Sequence, residues 1–281
     1  MNAIRNIFST AGKWNRIAGY SDRKIIDSSY RYLTFVEYTI YIPESLNLKN
    51  KKILFFSDLH YGTSNVDIEK IKSILLNIKP DWIVFGGDLI TYACYQEDAF
   101  SFLKDVFADF QNIPKIAVYG NWDRRRNKWY PDSVWINEYK KAGFNLIIND
   151  NIQFDSINFY GLDEPKLGEP RLKIDKLCKN KFNCIVSHSV EPVIDTIHDI
   201  PASFKRLYLC GHSHGGQIRI PIFGAMVTST KYWKLFEYGH YYSSIHDSNL
   251  IMTSGIGTTR IPFRLFCDSE AVIIKFADSP S

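Results

Sequence analysis

The chain has 281 residues, of which 45% are hydrophobic and 23% charged, with a formal net charge of +4. This composition excludes a disordered or collagen-like chain, and the length suffices to bury a core that carries a costly polar site without covalent staples. Five cysteines (Cys94, Cys178, Cys184, Cys210 and Cys267) form no CxxC pair and are odd in number, which argues against a disulfide scaffold and for reduced thiols in a cytoplasm-like compartment.

The first 29 residues differ from the rest. Ile4, Ile7, Phe8, Ala11 and Trp14 recur at helical spacing, Arg5, Lys13 and Arg16 add cations, and no acid precedes Asp22. The pattern predicts an amphipathic helix that lies in a membrane interface or packs on the domain. No apolar run approaches the ~18 residues of a spanning helix, and the continuous apolar stretch of a secretory signal is missing. Tyr32 to Ile42 alternates as a strand does and stops at Pro43. Residues 1–50 are therefore expected to form an N-terminal segment, with the main domain over 51–281.

From Lys51 onward, apolar runs alternate with helical patterns. Ile53 to Phe56, Trp82 to Phe85, Ile116 to Tyr119, Cys184 to Val186 and Leu207 to Cys210 read as buried strands. Val66 to Ile78, Asp98 to Phe110 and Pro131 to Ala142 read as helices, the first with Ser64 or Asn65 as cap and the third with proline in its first turn. Further short strands are expected around Ile157 to Gly161, Gln217 to Ile220, Leu250 to Thr253 and Ala271 to Phe276. A β/α first half and a strand-rich second half predict an α/β fold with two sheets face to face and helices outside.

Each of the five buried strands ends in a short polar motif: Asp58-Leu59-His60, Gly87-Asp88, Gly120-Asn121-Trp122-Asp123, His188, and Gly211-His212-Ser213-His214-Gly215-Gly216. Open α/β sheets gather functional side chains at strand C-terminal ends, so these residues are expected to form one site. Asp58 and Asp88 follow apolar strands, where an unpaired carboxylate costs several kcal/mol to bury, and a cation removes that cost. Imidazole, carboxylate and amide together suit manganese, iron or zinc more than calcium or a thiolate-bound ion. Asp88 is the natural bridge between two ions, because the paired glycines before it let backbone approach closely.

These five motifs, in this order, resemble the calcineurin-like metallophosphoesterases over roughly Lys51 to Phe276. The resemblance implies a four-layer α/β/β/α sandwich and a dinuclear, metal-dependent phosphohydrolase. It implies one ion on Asp58, His60, Asp88 and His214, and a second on Asp88, Asn121, His188 and His212, with manganese favoured. A narrower likeness rests on His212-x-His214-Gly215-Gly216-Gln217-Ile218, Pro221, Ser254-Gly255-Ile256-Gly257-Thr258 and Ile261-Pro262-Phe263-Arg264. These look like a bacterial subgroup that includes cell-envelope phosphodiesterases and enzymes hydrolysing UDP-2,3-diacylglucosamine in lipid A synthesis.

One departure stands out. Where that family has histidine, this chain has Trp122, which donates one N–H but transfers no proton near neutral pH. A pyrophosphate or activated diester tolerates the loss best, since its leaving group is already a weak base. His188, Asn121 and Asp123 are expected to serve catalysis, although Asp123 could instead cap the next helix. Trp122, Arg124, Arg125 and Arg126 are expected at the substrate phosphate.

The expected substrate is a phosphorylated small molecule or lipid, met in the cytoplasm or at the inner membrane face. No nucleic acid is expected, because the basic run is a short loop and not a long strip. Phe223 to Tyr242 is rich in aromatics with Lys231 and Lys234 between them, which suits either core packing or a membrane-touching rim. Arg260 and Arg264 read as surface ion-pair partners, and His198, His240 and His246 as structural. A general nucleotide phosphodiesterase and a binding scaffold that has lost catalysis are the alternatives.

Overall fold

The computed structural model describes residues 14–18, 24–27, 33–63, 68–92, 96–127 and 129–279. In chain order its first strands are β1 (Asn15–Ala18), β2 (Lys24–Asp27), β3 (Thr34–Ile42), β4 (Lys52–Phe56), β5 (Trp82–Phe85), β6 (Lys115–Ala117) and β7 (Phe144–Leu146). Then come β8 (Asp150–Gln153), β9 (Ile157–Gly161), β10 (Phe182–Ser187) and β11 (Arg206–Cys210). The small hairpin β12 (Arg219–Ile220) and β13 (Gly224–Ala225) precedes β14 (Gly239–Ser243), β15 (Ser248–Met252) and β16 (Glu270–Asp278). The helices are α1 (Ile68–Ile78), α2 (Gln96–Val106), α3 (Asn121–Arg124), α4 (Asp132–Lys141) and α5 (Glu191–Thr196).

Two mixed sheets form the body. One has the order β2-β3-β16-β4-β5-β6-β7 and the other β1-β14-β15-β11-β10-β9-β8. Their inner strands, β4-β5-β6-β7 and β9-β10-β11-β15, run parallel. Parallel strands covered on both faces read as continuous apolar runs, which is why Lys52–Phe56 and Arg206–Cys210 show no polar alternation. Period two still decides which face each residue takes. Ile53 and Phe55 meet Val186, Leu207 and Leu209 between the sheets, while Leu54 and Phe56 meet Ile74, Leu103 and Trp135 from the helices. On the far side, Ile185, Tyr208 and Met252 pack against Val193 and Ile197. The result is the expected α/β/β/α sandwich.

The strand expected before residue 51 is β3, which pairs in parallel with β16 over its full length and so belongs to the first sheet. Residues 1–13, where most of the amphipathic helix was expected, lie outside the described residues. The end of that pattern is not helical. Asn15–Ala18 pairs with β14 at the sheet edge, Trp14 is buried against Tyr208 and Phe236, and Arg16 stacks 4.8 Å above Tyr238. Cross-strand pairing and burial of the Trp14 indole override the local helical spacing there. Among the described residues, no helix is long and apolar enough to cross a membrane. Cys178, Cys184, Cys210 and Cys267 are free thiols.

Candidate metal centre

All seven expected ligands converge where the parallel strands of the two sheets end. Their loops hold one another through backbone hydrogen bonds: Asp58 N–H donates to Gly87 O at 2.9 Å, His60 N–H to Asp88 O at 3.1 Å and Gly211 N–H to His188 O at 2.9 Å. Most of these side chains are turned inward by left-handed backbone just beyond a strand. Asp58, His60, Asp88, His212 and His214 all have positive φ, between 43° and 66°. Non-glycine residues pay for that conformation, and such strain concentrates at functional sites. Close approach also dictates glycine at position 120, since a Cβ there would lie 2.1 Å from Asp88 Oδ1.

Two donor groups result, Asp58–His60–His214 and Asp88–His188–His212, with each group's ligand atoms within 4.8 Å of one another. In the first, His60 Nε2 lies 3.1 Å from His214 Nε2, and His214 Nε2 lies 3.4 Å from Asp58 Oδ1. In the second, His188 Nε2 lies 3.1 Å from His212 Nδ1 and 3.3 Å from Asn121 Oδ1. Asp88 Oδ2 stands between the two groups, at 3.6 Å from His60 Nε2 and 3.3 Å from His188 Nε2. Neighbouring donors around a metal with bonds of ~2.1 Å stand about 3.0–3.5 Å apart, so the spacing fits.

The buried electrostatics ask for a cation. Asp58 Oδ1 is fully buried and accepts no hydrogen bond, although an unmatched carboxylate oxygen is costly. The tautomers are prepared as well. His188 Nδ1 meets the Gly86 carbonyl at 2.8 Å, so it carries the proton and leaves Nε2 free as a donor atom. His60 Nδ1 meets Thr91 Oγ1 at 2.8 Å. Burial, assisted by like-charged neighbours, holds His212 and His214 well below the usual imidazole range. Burial acts to lower His188, but the charge and hydrogen bond of Asp88, the Asp58 charge and the Gly86 carbonyl together outweigh it and push this imidazole up to about 10. In return the imidazoles, His188 foremost, hold Asp88 well below the carboxylate range against the opposing effect of burial. The fold has thus assembled a concentration of negative potential and nitrogen lone pairs that one proton compensates only in part.

Asp123 faces backbone and not the centre. Its Oδ2 accepts from Asp88 N–H at 2.8 Å and Gly120 N–H at 2.9 Å, and its Oδ1 from Leu89 N–H at 2.9 Å. Burial, then the Asp88 charge, pushes its carboxyl up to about 7, yet three donors aimed at two oxygens favour the ionised form. Asp123 therefore fixes the loop that carries Asp88. Asp123→Asn turns an amide N–H toward those donors, and we expect it to cost about 1–3 kcal/mol per orphaned group, read as a lowered thermal midpoint.

The arginine run divides. Arg124 is committed to structure: Nε donates to Asp163 Oδ1 at 2.8 Å, Nη1 to Asp132 Oδ1 at 2.8 Å, and the guanidinium stacks 4.1 Å above Tyr119. Two carboxylates and a ring thus already engage Arg124, whose expected phosphate contact would compete with them. Arg126 donates to the Thr91 carbonyl, bracing the residue that orients His60. Arg125 remains exposed and stacks 4.6 Å above the Trp122 ring, which stands edge-on to His60 at 6.3 Å. The backbone N–H of Trp122, not its indole, donates to Asp88 Oδ1 at 2.8 Å. His240 lies apart and bonds Asn249 at 2.8 Å.

Two roles escaped the sequence reading. Lys166 Nζ lies 2.9 Å from His212 Nε2, on a loop whose turn is fixed by Glu164 accepting from Lys166 N–H and Leu167 N–H. A signal existed, since Gly161-Leu162-Asp163-Glu164 follows an apolar strand just as the ligand motifs do. Arg264 is not a surface ion-pair partner. Its Nη2 donates to the carbonyls of Ser254 at 2.8 Å, Gly255 at 3.1 Å and Gly257 at 2.6 Å, while its Nη1 meets His214 O at 3.3 Å. That segment in turn clamps the first ligand loop, through Ile256 N–H to Ser57 O at 3.0 Å and Gly257 N–H to Asp58 O at 2.7 Å. Nothing in the local sequence announces that role, which depends on a connection spanning some 200 residues.

A four-layer sandwich whose strand ends hold two donor groups bridged by one carboxylate is the architecture of a metal-dependent phosphoesterase. Comparison with known proteins agrees. The family model described as calcineurin-like phosphoesterase matches residues 51–216. A Bacillus subtilis (strain 168) protein named uncharacterized metallophosphoesterase YkuE is 30% identical over 236 residues, covering 79% of this chain and 77% of that one. The Escherichia coli (strain K12) protein named phosphodiesterase YaeI is 28% identical, covering 80% and 81% respectively. Among solved structures, a dimetal phosphatase from Danio rerio superposes with a TM-score of 0.44 at 11% identity, over 74% of this chain and 88% of that one. The chain belongs to the calcineurin-like phosphoesterase family, and it is a metal-dependent hydrolase of phosphoric esters.

Proposed function

We propose that this enzyme cleaves a phosphodiester or pyrophosphate bond whose leaving group departs without a proton from the protein. Its substrate class is then a nucleotide-linked or lipid-linked envelope precursor of the UDP-2,3-diacylglucosamine kind, met in the cytoplasm or at the inner membrane face. The observation that carries this reading is the indole of Trp122 beside the donor groups, with the acid that follows it in the chain, Asp123, engaged by backbone N–H groups. The relative named as a phosphodiesterase supports the diester half of it.

Asp58, His60, Asp88 and His214 would hold one divalent ion, and Asp88, Asn121, His188 and His212 the other, with manganese preferred over iron or zinc. Such a pair supplies Lewis acidity and a hydroxide at neutral pH. The protein's own part is placement. His188 is oriented by its Nδ1 bond to Gly86, and Asn121 presents its amide oxygen beside it. Arg125 and Lys166 bring positive charge to the mouth, where an anionic phosphate would be oriented by charge-assisted hydrogen bonds.

Trp122→His is the test. Supplying an imidazole should raise the rate on an alkyl phosphodiester by about 100-fold, the lower range of general-acid catalysis, and change the rate on a nucleotide diphosphate conjugate only a few-fold. Faster turnover of simple alkyl monoesters than of the diphosphate conjugate by the unaltered enzyme would overturn the proposal.

A further inference from the structure

The aromatic-rich stretch Phe223 to Tyr242 has two fates. Tyr232, Phe236, Tyr238 and Tyr241 are core residues, whereas Phe223, Met226 and Trp233 are exposed. The exposed members do not stand singly. The β12–β13 hairpin projects Ile222, which is wholly exposed at 102%, and Phe223 at 72%, with Val227 at 68% beside them. Hydrogen bonds stitch this hairpin to the 261–266 segment, where Phe263 and Phe266 are also exposed: Arg219 N–H donates to Leu265 O at 2.9 Å, and Gln217 Nε2 to Ile261 O at 2.7 Å. Lys234 Nζ donates to Phe223 O at 2.5 Å and ties in the turn that carries Trp233. Three chain segments therefore share one apolar face, and scattered exposed side chains do not account for it.

We propose that this face docks the enzyme on a lipid bilayer bearing anionic headgroups. Charge selects that occupant. No Asp or Glu occurs between Gln217 and Phe236 or between Gly255 and Cys267, while Arg219, Lys231, Lys234, Arg260 and Arg264 do. Arg219 is paired with Glu237 and Lys231 with Asp195, and Arg264 is turned inward. Lys234 and Arg260 are exposed and form no ion pair among the described residues. Apolar side chains on a projecting turn, with Lys234 and Arg260 exposed at the rim and the neighbouring acids Glu237 and Asp195 neutralised by Arg219 and Lys231, match an interface that is apolar at depth and anionic at its surface. A groove-filling protein contact would call for a concave face and matching charge.

The face adjoins the centre through the chain, without its exposed side chains entering the donor groups. The hairpin follows His214-Gly215-Gly216 directly, and Arg264, in the midst of the second exposed segment, touches His214. Docking would hold the mouth of the centre against the headgroup layer, so the substrate class becomes an amphiphile whose phosphate lies at headgroup depth. That consequence rests on the hydrolase reading, while the docking itself does not.

The experiment is flotation of the full-length protein with vesicles of phosphatidylcholine alone and of equimolar phosphatidylcholine and phosphatidylglycerol, beside the double variant Ile222→Asp with Phe223→Asp. Both side chains lie outside the core, so melting and hydrolysis of a soluble aryl phosphodiester should be unchanged. The unaltered protein should float with the anionic vesicles, less at high salt and less with phosphatidylcholine alone. The double variant should bind at least about tenfold more weakly. Equal flotation of the two proteins, or no flotation of either, overturns the proposal. So does a dimer by analytical ultracentrifugation that the double variant abolishes without any vesicle binding, which would make the face an interface between copies. Absent hydrolysis of the soluble diester by both proteins, with flotation as expected, counts against the hydrolase reading alone.

Discussion

Asp88→Asn should abolish turnover, lowering the hydrolysis of an aryl phosphodiester by at least about 100-fold, and should strip bound metal from the purified protein. Mutating a residue that merely orients a metal ligand already costs 10–100-fold. Asp88 does more, because its Oδ2 reaches His60 Nε2 and His188 Nε2 and so serves both donor groups at once. The amide removes the bridging charge and puts an N–H where an anionic oxygen stood, while Oδ1 also accepts the Trp122 backbone N–H that shapes the adjoining loop. The fold should survive, since Asp123 organises the Asp88 backbone without using its side chain. Full metal content by elemental analysis together with undiminished activity would remove Asp88 from the bridge.

Divalent metal should raise the thermal midpoint of chelator-treated protein by roughly 5–10 °C. Asp58, His60, Asp88, His188, His212 and His214 are all buried, and without a cation their lone pairs and charges oppose one another across about 3–4 Å. An ion present at 100 times its dissociation constant stabilises by about 2.7 kcal/mol. In a chain of this size each kcal/mol moves the midpoint by about 2–4 °C.

The pH dependence has a definite sign. In the metal-free protein, the pKa of His188 is raised to about 10, foremost by Asp88, so its contribution to stability is complete below the ordinary imidazole range and is lost as pH rises toward 10. A metal must displace that proton, so the metal-dependent increment should grow from pH 6 to pH 8. Differential scanning fluorimetry with manganese, iron and zinc reads both effects. Identical melting with and without metal would count against a cation centre.

How much of this was legible beforehand depends on the range of the interaction concerned. The candidate donors were readable because they follow apolar strands long enough to be recognised, and burying a carboxylate or imidazole there makes sense only with a partner. The alternation of β and α patterns likewise implied the sandwich. Near Trp14, by contrast, helical spacing was real but local, and pairing of Asn15–Ala18 with Gly239–Ser243 overrode it. Arg124, Arg125 and Arg126 are identical side chains in an unbroken run, so no local pattern could say which would be spent on Asp163, on Thr91 or on solvent.

The sequence by itself determined the layered fold and the chemical identity of the candidate metal donors, both written in strand-length apolar runs and the residues that end them. That Trp122 stands in place of a histidine was legible through the family resemblance. Only the tertiary structure decided that Asp123 is a backbone anchor, that Arg264 supports the first ligand loop from some 200 residues away, and that Phe223 and Trp233 of an aromatic stretch face outward while its other rings do not. Each of these depends on which distant backbone groups happen to lie within 3 Å, and that proximity is created only when the two sheets close on each other.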